Sequence, residues 1–166
     1  MRTSIPQILE EVEKQTTNES KIKVLRSYDH PVLRGILQLN FIPSIKMDLP
    51  LGEPPFKKDT TVPEGYSESN LFVEHRRFYI WLDPTKNINK FRKESLFIQM
   101  LEGLHWKEAE LVCLAKDKKI DTKYKTVTWD LVNDAFPNLL PADSKKEKEK
   151  EKKVTSPKKS KVPLKD

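Results

Sequence analysis

The fold class is decided by residues 96–141, which read LFIQMLEGLHWKEAELVCLAKDKKIDTKYKTVTWDLVNDAFPNLLP. Apolar residues recur there at steps of three and four, the spacing of a helix with one buried face. They are Leu96, Phe97, Met100, Leu101 and Leu104, continued after a predicted break at 103–106 by Leu111, Leu114 and Ala115. Thr128 is placed to cap a short closing helix over 129–136. The stretch therefore predicts packed helices joined by a lysine-rich turn.

The residues upstream predict four more helices and one long extended segment. Ser4 and Gln7 have capping-box spacing, residues 16–19 repeat it, and Asp29 is placed to cap a third helix that reaches Phe41. Five prolines between 43 and 66 predict an extended segment, which its apolar side chains should hold against the surface. These side chains are Ile45, Met47, Leu49, Leu51 and Phe56. Another helix is predicted over 67–82, ending before Pro84.

These patterns predict an all-α protein, a helical bundle over residues 1–143 followed by a disordered Lys/Glu-rich tail over 144–166. The tail holds ten lysines and four acidic residues, so it accounts for the whole formal charge of +6. Residues 1–143 are consequently neutral. Both a solubilising tail and an arm that tracks DNA fit this composition.

The single cysteine, Cys113, excludes an internal disulfide and fits a reducing compartment. Its apolar neighbours predict a buried side chain, not a reactive thiol. We see no apolar run of about 18 residues that would span a bilayer and no secretory signal. The sequence therefore predicts an intracellular protein with no membrane partner.

Two patterns that suggest chemistry have simpler interpretations. Glu102 and His105 have the Glu-x-x-His spacing of di-iron sites, but a second copy is lacking, so a helix-end histidine is the favoured interpretation. Aromatic residues could stack on bases, yet their helical spacing favours core packing. They are Trp81, Trp106, Trp129, Phe72, Phe78, Phe97 and Phe136. We expect no metal, no cofactor and no catalysis.

The order of elements resembles the N-terminal helical DNA-binding domain of ATP-dependent DNA ligases, the tailed-phage versions most closely. The matching residues are ILEEV at 8–12, KIKVL at 21–25, the 33–41 helix, and Val132, Ala135, Phe136-Pro137 and Leu139-Leu140-Pro141 at the end. The likeness covers about residues 4–141, the central third only in outline. The chain is also similar to an uncharacterised group of small tailed-phage proteins.

The ligase resemblance implies duplex DNA as the partner. In that domain the turn before the last helix faces the minor groove, which here points to Lys116, Lys118, Lys119, Lys123 and Lys125. The family usually has a glycine in this turn and this sequence has none, so longer lysine side chains would make the contacts. Ligation itself is excluded, because no Lys-x-Asp-Gly motif is present.

A second basic connector, residues 86–93 (KNINKFRK), adds Lys86, Lys90, Arg92 and Lys93 to the candidate nucleic-acid-binding residues. Lysine-rich loops are also common as plain solvated surface. We expect a non-catalytic phage accessory protein of the host cytoplasm that binds duplex DNA through phosphates, with weak sequence preference. Phage replication or transcription proteins are further expected partners.

The alternative is a protein-interaction adaptor of phage replication, transcription or host takeover that has lost DNA binding. Its contact surface would be the proline-rich segment, with Phe56 and Tyr66.

Overall fold

The structure is a computed structural model that describes residues 2–145 of the 166-residue chain, and within them every regular element is a helix. The predicted all-α fold is confirmed. The helices are α1 (Ile5–Lys14), α2 (Asn18–Ser27), α3 (Pro31–Phe41), α4 (Leu71–Glu74), α5 (Tyr79–Leu82), α6 (Lys90–Gly103), α7 (Trp106–Lys116), α8 (Ile120–Lys123) and α9 (Trp129–Ala135). The predicted disordered tail lies outside the described residues, apart from Ser144 and Lys145.

The helix starts follow the capping signals with two corrections. Ser4 and Gln7 form the predicted capping box of α1, and Thr128 caps α9 as predicted. Thr17 caps α2, one residue later than the predicted box. The cap of α3 is His30, whose Nδ1 accepts from the amide of Val32. Asp29 does not cap α3, because its carboxylate pairs with the Arg34 guanidinium at 2.6 Å.

The single helix predicted over 67–82 is wrong. The chain forms α4, a 3₁₀ turn at His75–Arg77, and α5. In a continuous helix Leu71 and Ile80 would point about 180° apart, yet both side chains are buried. Breaking the helix allows both to face the core.

One hydrophobic core joins the elements, with α1 packed on α2 and α7, α2 on α9, and α3 on α7. Trp81 and Phe97 meet edge-to-face near its centre, with ring centroids 5.5 Å apart. The predicted break at 103–106 is confirmed: α6 ends at Gly103 and α7 begins at Trp106. Helices α6 and α7 contact each other after this short connection, and Glu94 near the start of α6 lines the same groove as Lys116 at the end of α7. The two helices therefore run antiparallel, and we call them the α6–α7 hairpin.

The proline-rich segment is extended and lies against the helices, as predicted. Met47 is buried, and Ile45, Leu49 and Phe56 pack partly buried on the core. Leu51 was expected to pack as well, but its side chain is 85% exposed. The segment has few apolar anchors for its length, so polar contacts must also hold it. Several of those contacts come from the basic connectors, and others from Glu102, His105 and Lys107.

Candidate nucleic-acid interface

The turn after α7 shows how this chain does without the glycine that the ligase family usually has there. Lys118 has φ +60°, the left-handed conformation that usually selects glycine after a helix. The amide of Lys118 donates to the carbonyl of Ala115, and that of Lys119 to the carbonyl of Leu114, which is the Schellman pattern. This turn therefore has the backbone that a glycine would favour, with a lysine in its place.

The side chain of Lys118 accounts for its presence at this strained position. Its Nζ donates to the carbonyls of Leu39, Ile42 and Ile45 at 2.6, 2.9 and 2.7 Å. The carbonyl groups at the end of α3 have no partner within their own helix. Lys118 thus caps α3 from the end of α7.

Lys116 holds the proline-rich segment in a similar way. Its Nζ donates to the carbonyls of Pro50 at 2.7 Å and Gly52 at 3.1 Å, and pairs with the Asp117 carboxylate at 2.6 Å. Asp117 in turn accepts from the amide of Gly52 at 3.0 Å. The side chain of Lys116 is only 3% exposed. Its ammonium group stabilises the fold and has no surface left for a phosphate.

Lys93 is another lysine that anchors the segment. Its Nζ lies 2.8 Å from the Asp48 carboxylate, with the side chain 6% exposed. The hydrogen bond from Lys93 lowers the pKa of Asp48. The carbonyl of Lys93 also accepts from the Trp81 indole at 2.9 Å. We therefore revise the assignment of Lys93, Lys116 and Lys118: all three hold the fold together, and we remove them from the phosphate-contacting set.

The structure corrects the predicted 86–93 connector: α6 begins at Lys90, so residues 90–93 form its first turn and only 86–89 connect helices. The same anchors show that the two basic stretches meet. Lys118 reaches residue 45, Lys93 residue 48 and Lys116 residues 50 and 52. An extended chain advances about 3.5 Å per residue, so these contacts lie within roughly 25 Å along one strip. The start of α6 and the end of α7 are consequently side by side at the open end of the α6–α7 hairpin.

Several exposed cations remain at that end. Four were predicted, namely Lys86, Lys90, Arg92 and Lys119, and a fifth, Lys46, lies in the strip between the anchored residues 45 and 48. We call these five the basic end surface. Phe91, between Lys90 and Arg92, is 79% exposed, and the ammonium of Lys86 lies 5.4 Å from the centroid of the Tyr79 ring. Sequence reasoning missed Lys46, because a lone lysine among prolines carries no signal.

Lys123 and Lys125 are not part of this surface. The Nζ of Lys123 pairs with Glu110 at 2.7 Å and lies 5.8 Å from the centroid of Trp106, at the start of α7. Lys125 is exposed beside Thr126, whose amide and hydroxyl both bond to Glu13 of α1. The structure therefore divides the predicted 116–125 turn between two regions.

The remaining candidates have structural roles. His105 caps α7, with Nδ1 accepting from the amide of Lys107 and Nε2 3.0 Å from the carbonyl oxygen of Val62. Across residues 2–145 no three His, Cys, Asp or Glu side chains gather as metal ligands.

Burial raises the pKa of the Cys113 thiol to about 12, so it stays protonated near neutral pH. None of the described helices has the length and apolar character needed to cross a bilayer.

Comparisons with known proteins give a family without an activity. Neither the curated proteins nor the solved structures contain a match to the chain. One family model matches residues 8–122, about two thirds of the chain, from α1 into α8. The match includes the 86–93 connector and the turn after α7. The chain therefore belongs to the family described as "Family of unknown function (DUF6433)".

Proposed function

We propose that this protein binds duplex DNA through phosphate contacts made by the basic end surface, and that it has no catalytic role of its own. One observation carries the proposal: two connectors far apart in sequence converge on residues 45–52 and present exposed cations at one end of the hairpin. The exposed Phe91 ring adds an apolar contact for sugars or a base step.

The resemblance to the ligase DNA-binding domain supports duplex DNA as the ligand. The contacts differ from those that the resemblance implied, because Lys116 and Lys118 bind carbonyls of this chain. The phosphate contacts are made instead by Lys119 and by the cations of residues 86–92, which are Lys86, Lys90 and Arg92. A phage accessory role in the host cytoplasm, beside replication or transcription proteins, belongs to the same proposal.

The number of cations sets the expected salt dependence. Binding that neutralises five phosphates has a slope of log affinity against log salt of about −4.5. Between about 50 and 200 mM salt the affinity should then fall roughly 500-fold. Phosphates are the same in every sequence, so duplexes of different sequence should bind within a few-fold of one another.

The test compares two triple variants of the full chain that remove equal charge. Lys86→Ala with Lys90→Ala and Lys119→Ala removes three cations of the basic end surface. Lys14→Ala with Lys23→Ala and Lys125→Ala removes three exposed lysines elsewhere and serves as the control. Duplex binding is measured by fluorescence anisotropy across a salt series.

We expect the first variant to bind more weakly, with a salt slope shallower by about 2.7, while the control keeps a slope near that of the unmodified chain. Equal loss in both variants would mean that the charge acts non-specifically. Absence of duplex binding by the unmodified chain at low salt would reject the proposal.

A groove beside the same end favours the adaptor alternative. It has a volume of about 390 Å³ and is lined by Leu49, Pro50, Leu51, Phe97 and Ile98, with Glu53 and Glu94 among its charged residues. The most exposed large apolar side chain there is Leu51, whereas Phe56, the expected contact, packs on the core. Tyr66, the other expected contact, is 72% exposed. If the protein is an adaptor, the unmodified chain should not bind duplex DNA, and Leu51→Glu should abolish partner co-purification.

A further inference from the structure

The start of α6 presents a large apolar side chain to solvent among the cations of the basic end surface. Phe91 is 79% exposed, and Lys90 and Arg92, on either side of it in the chain, are exposed as well. Its phenyl ring has no polar atom that could hydrogen-bond to water. Single exposed apolar residues are common in folded proteins. What distinguishes Phe91 is the direction of its side chain, the rigidity of its backbone and the charge around it.

The side chain of Phe91 projects beyond the end of its helix. Phe91 is the second residue of α6, which begins at Lys90. The Cα–Cβ bonds of an α-helix tilt towards its N-terminus, so side chains of the first turn extend past the helix end. The ring therefore points away from the body of the protein, together with the cations of the same turn.

The backbone that carries the ring is held firmly. The Phe91 amide donates to Oδ1 of Asn89, the cap of α6, at 2.8 Å. Two residues later, Lys93 is fixed at three points: its amide donates to the Asn89 carbonyl, its carbonyl accepts from the Trp81 indole, and its ammonium pairs with Asp48. A ring on a fixed backbone loses little beyond its two side-chain torsions when it binds, which keeps the entropic cost of binding low.

The charge around the ring suits a polyanion. In the described part of the chain, the carboxylates within or bonded to residues 83–94 are Asp48, Asp83 and Glu94. Asp48 is paired with Lys93, which is not one of the five cations of the basic end surface. Asp83 accepts from the amide and hydroxyl of Thr85 at 2.9 and 2.7 Å, and Glu94 lines the groove beside residues 49–55. The five cations thus outnumber the two carboxylates that remain.

We propose that Phe91 is a wedge that inserts between two base pairs of the bound duplex and bends it, while Lys90 and Arg92 hold phosphates beside the opened step. The inference rests on the proposed duplex binding and names the kind of duplex that the surface prefers. Phenylalanine is among the apolar side chains that unstack a base step from the minor groove, with bends of about 20–90°. Unstacking is least costly at a mismatched base pair, so a mismatched duplex is the preferred ligand.

The experiment measures the affinity and the bend of two duplexes of about 30 base pairs, a length that holds one protein-bound site. One duplex is fully paired and the other has a central T·T mismatch. Each carries a fluorescent donor at one end and an acceptor at the other. We expect energy transfer to rise when the full chain binds, because bending brings the ends together. The mismatched duplex should bind about tenfold more tightly.

Variants separate the ring from the charges. Phe91→Ala should abolish the bend and the preference for the mismatch, while the salt slope stays near about −4.5 because no charge is lost. Phe91→Leu keeps an apolar wedge and should retain most of the bend. The control is Tyr66→Ala, which removes an exposed aromatic ring from the cavity beside Gly103 and Trp106, at the closed end of the hairpin, and should change neither property. The triple variant of the basic end surface should bind more weakly and still bend the duplex at saturation.

Three results would overturn the wedge. One is a duplex that binds without bending, and another is a bend that Phe91→Ala leaves unchanged. The third is binding to vesicles of anionic lipid that depends on Phe91, with no bend in DNA, which would assign the ring to a membrane surface. All three leave the phosphate contacts to be judged by their own salt series. Absence of duplex binding at low salt rejects the proposed function itself, so the two failures are distinguishable.

Discussion

Replacing Lys116 by methionine tests whether this lysine holds the fold. Methionine keeps the aliphatic length but removes the ammonium that bonds to Pro50, Gly52 and Asp117. Removing one partner of a buried ion pair usually costs about 3–5 kcal/mol, because the other charge is left uncompensated. Pro50 and Gly52 are exposed and water can satisfy their carbonyls. Asp117, 9% exposed, carries most of the loss, so we expect about 3 kcal/mol.

The assay is urea unfolding of the full chain, followed by circular dichroism. With an m-value of about 2 kcal/mol/M, a loss of 3 kcal/mol lowers the midpoint by roughly 1.5 M. Lys119→Met is the matched control, since this neighbouring lysine is exposed and its change should stay within about 0.5 kcal/mol.

A double variant identifies the cause of the loss. Asp117→Asn keeps an oxygen that can accept from the Gly52 amide but removes the stranded charge. Adding it to Lys116→Met should recover about 1–2 kcal/mol. If Lys116→Met and Lys119→Met unfold at the same midpoint, the reasoning is refuted, and Lys116 returns to the candidate phosphate contacts.

Three further predictions use the same unfolding assay. Lys118→Gly relieves the positive φ whereas Lys118→Met keeps it, so the glycine variant should be more stable by about 1 kcal/mol, with both below the unmodified chain. Burial raises the pKa of Glu108 from 4.5 to about 6, so stability falls as pH rises through that window. Glu108→Gln can still accept from the Leu71 amide, and it should add up to about 2 kcal/mol near pH 7 and little near pH 4. Gly35→Ala should destabilise by about 1–3 kcal/mol, because its Cβ would lie 2.5 Å from His75 Nε2, and His75→Ala should restore much of the loss.

Each of these has an outcome that contradicts it. A methionine at position 118 as stable as glycine would show that the positive φ carries no strain. If Glu108→Gln and the unmodified chain differed in stability by the same amount at every pH, the Glu108 carboxyl would not be the cause of the pH dependence. A stabilising Gly35→Ala, the ordinary result inside a helix, would mean that the His75 ring moves aside at little cost.

Local signals determined the helical elements. The capping side chains of Ser4 and Thr128 satisfy the first backbone amides of their own helices, so a few neighbouring residues are enough to mark the start. The break at Gly103 and the burial of Cys113 likewise follow from spacing within one stretch. Where one signal competed with another, the prediction failed: Asp29 had a cap's position, but Arg34 offered its carboxylate a charged partner.

The candidate site depended on contacts that no local pattern contains. In the sequence, no signal distinguishes Lys93, Lys116 and Lys118 from Lys90 or Lys119. All of them are cations of the two basic connectors. Apart from Asp117, next to Lys116, the partners of their ammonium groups lie between 45 and 79 residues away along the chain. Whether an ammonium group faces solvent or a carbonyl depends on which distant backbone is packed beside it.

The sequence by itself determined an all-α chain, the starts of α1 and α9 and the amount of positive charge in each connector, because these follow from neighbours a few residues apart. Only the tertiary structure decided which charges are exposed. Packing the proline-rich strip across the open end of the α6–α7 hairpin placed backbone carbonyls and the Asp48 carboxylate beside three lysines, and the ammonium groups of these lysines bond to them.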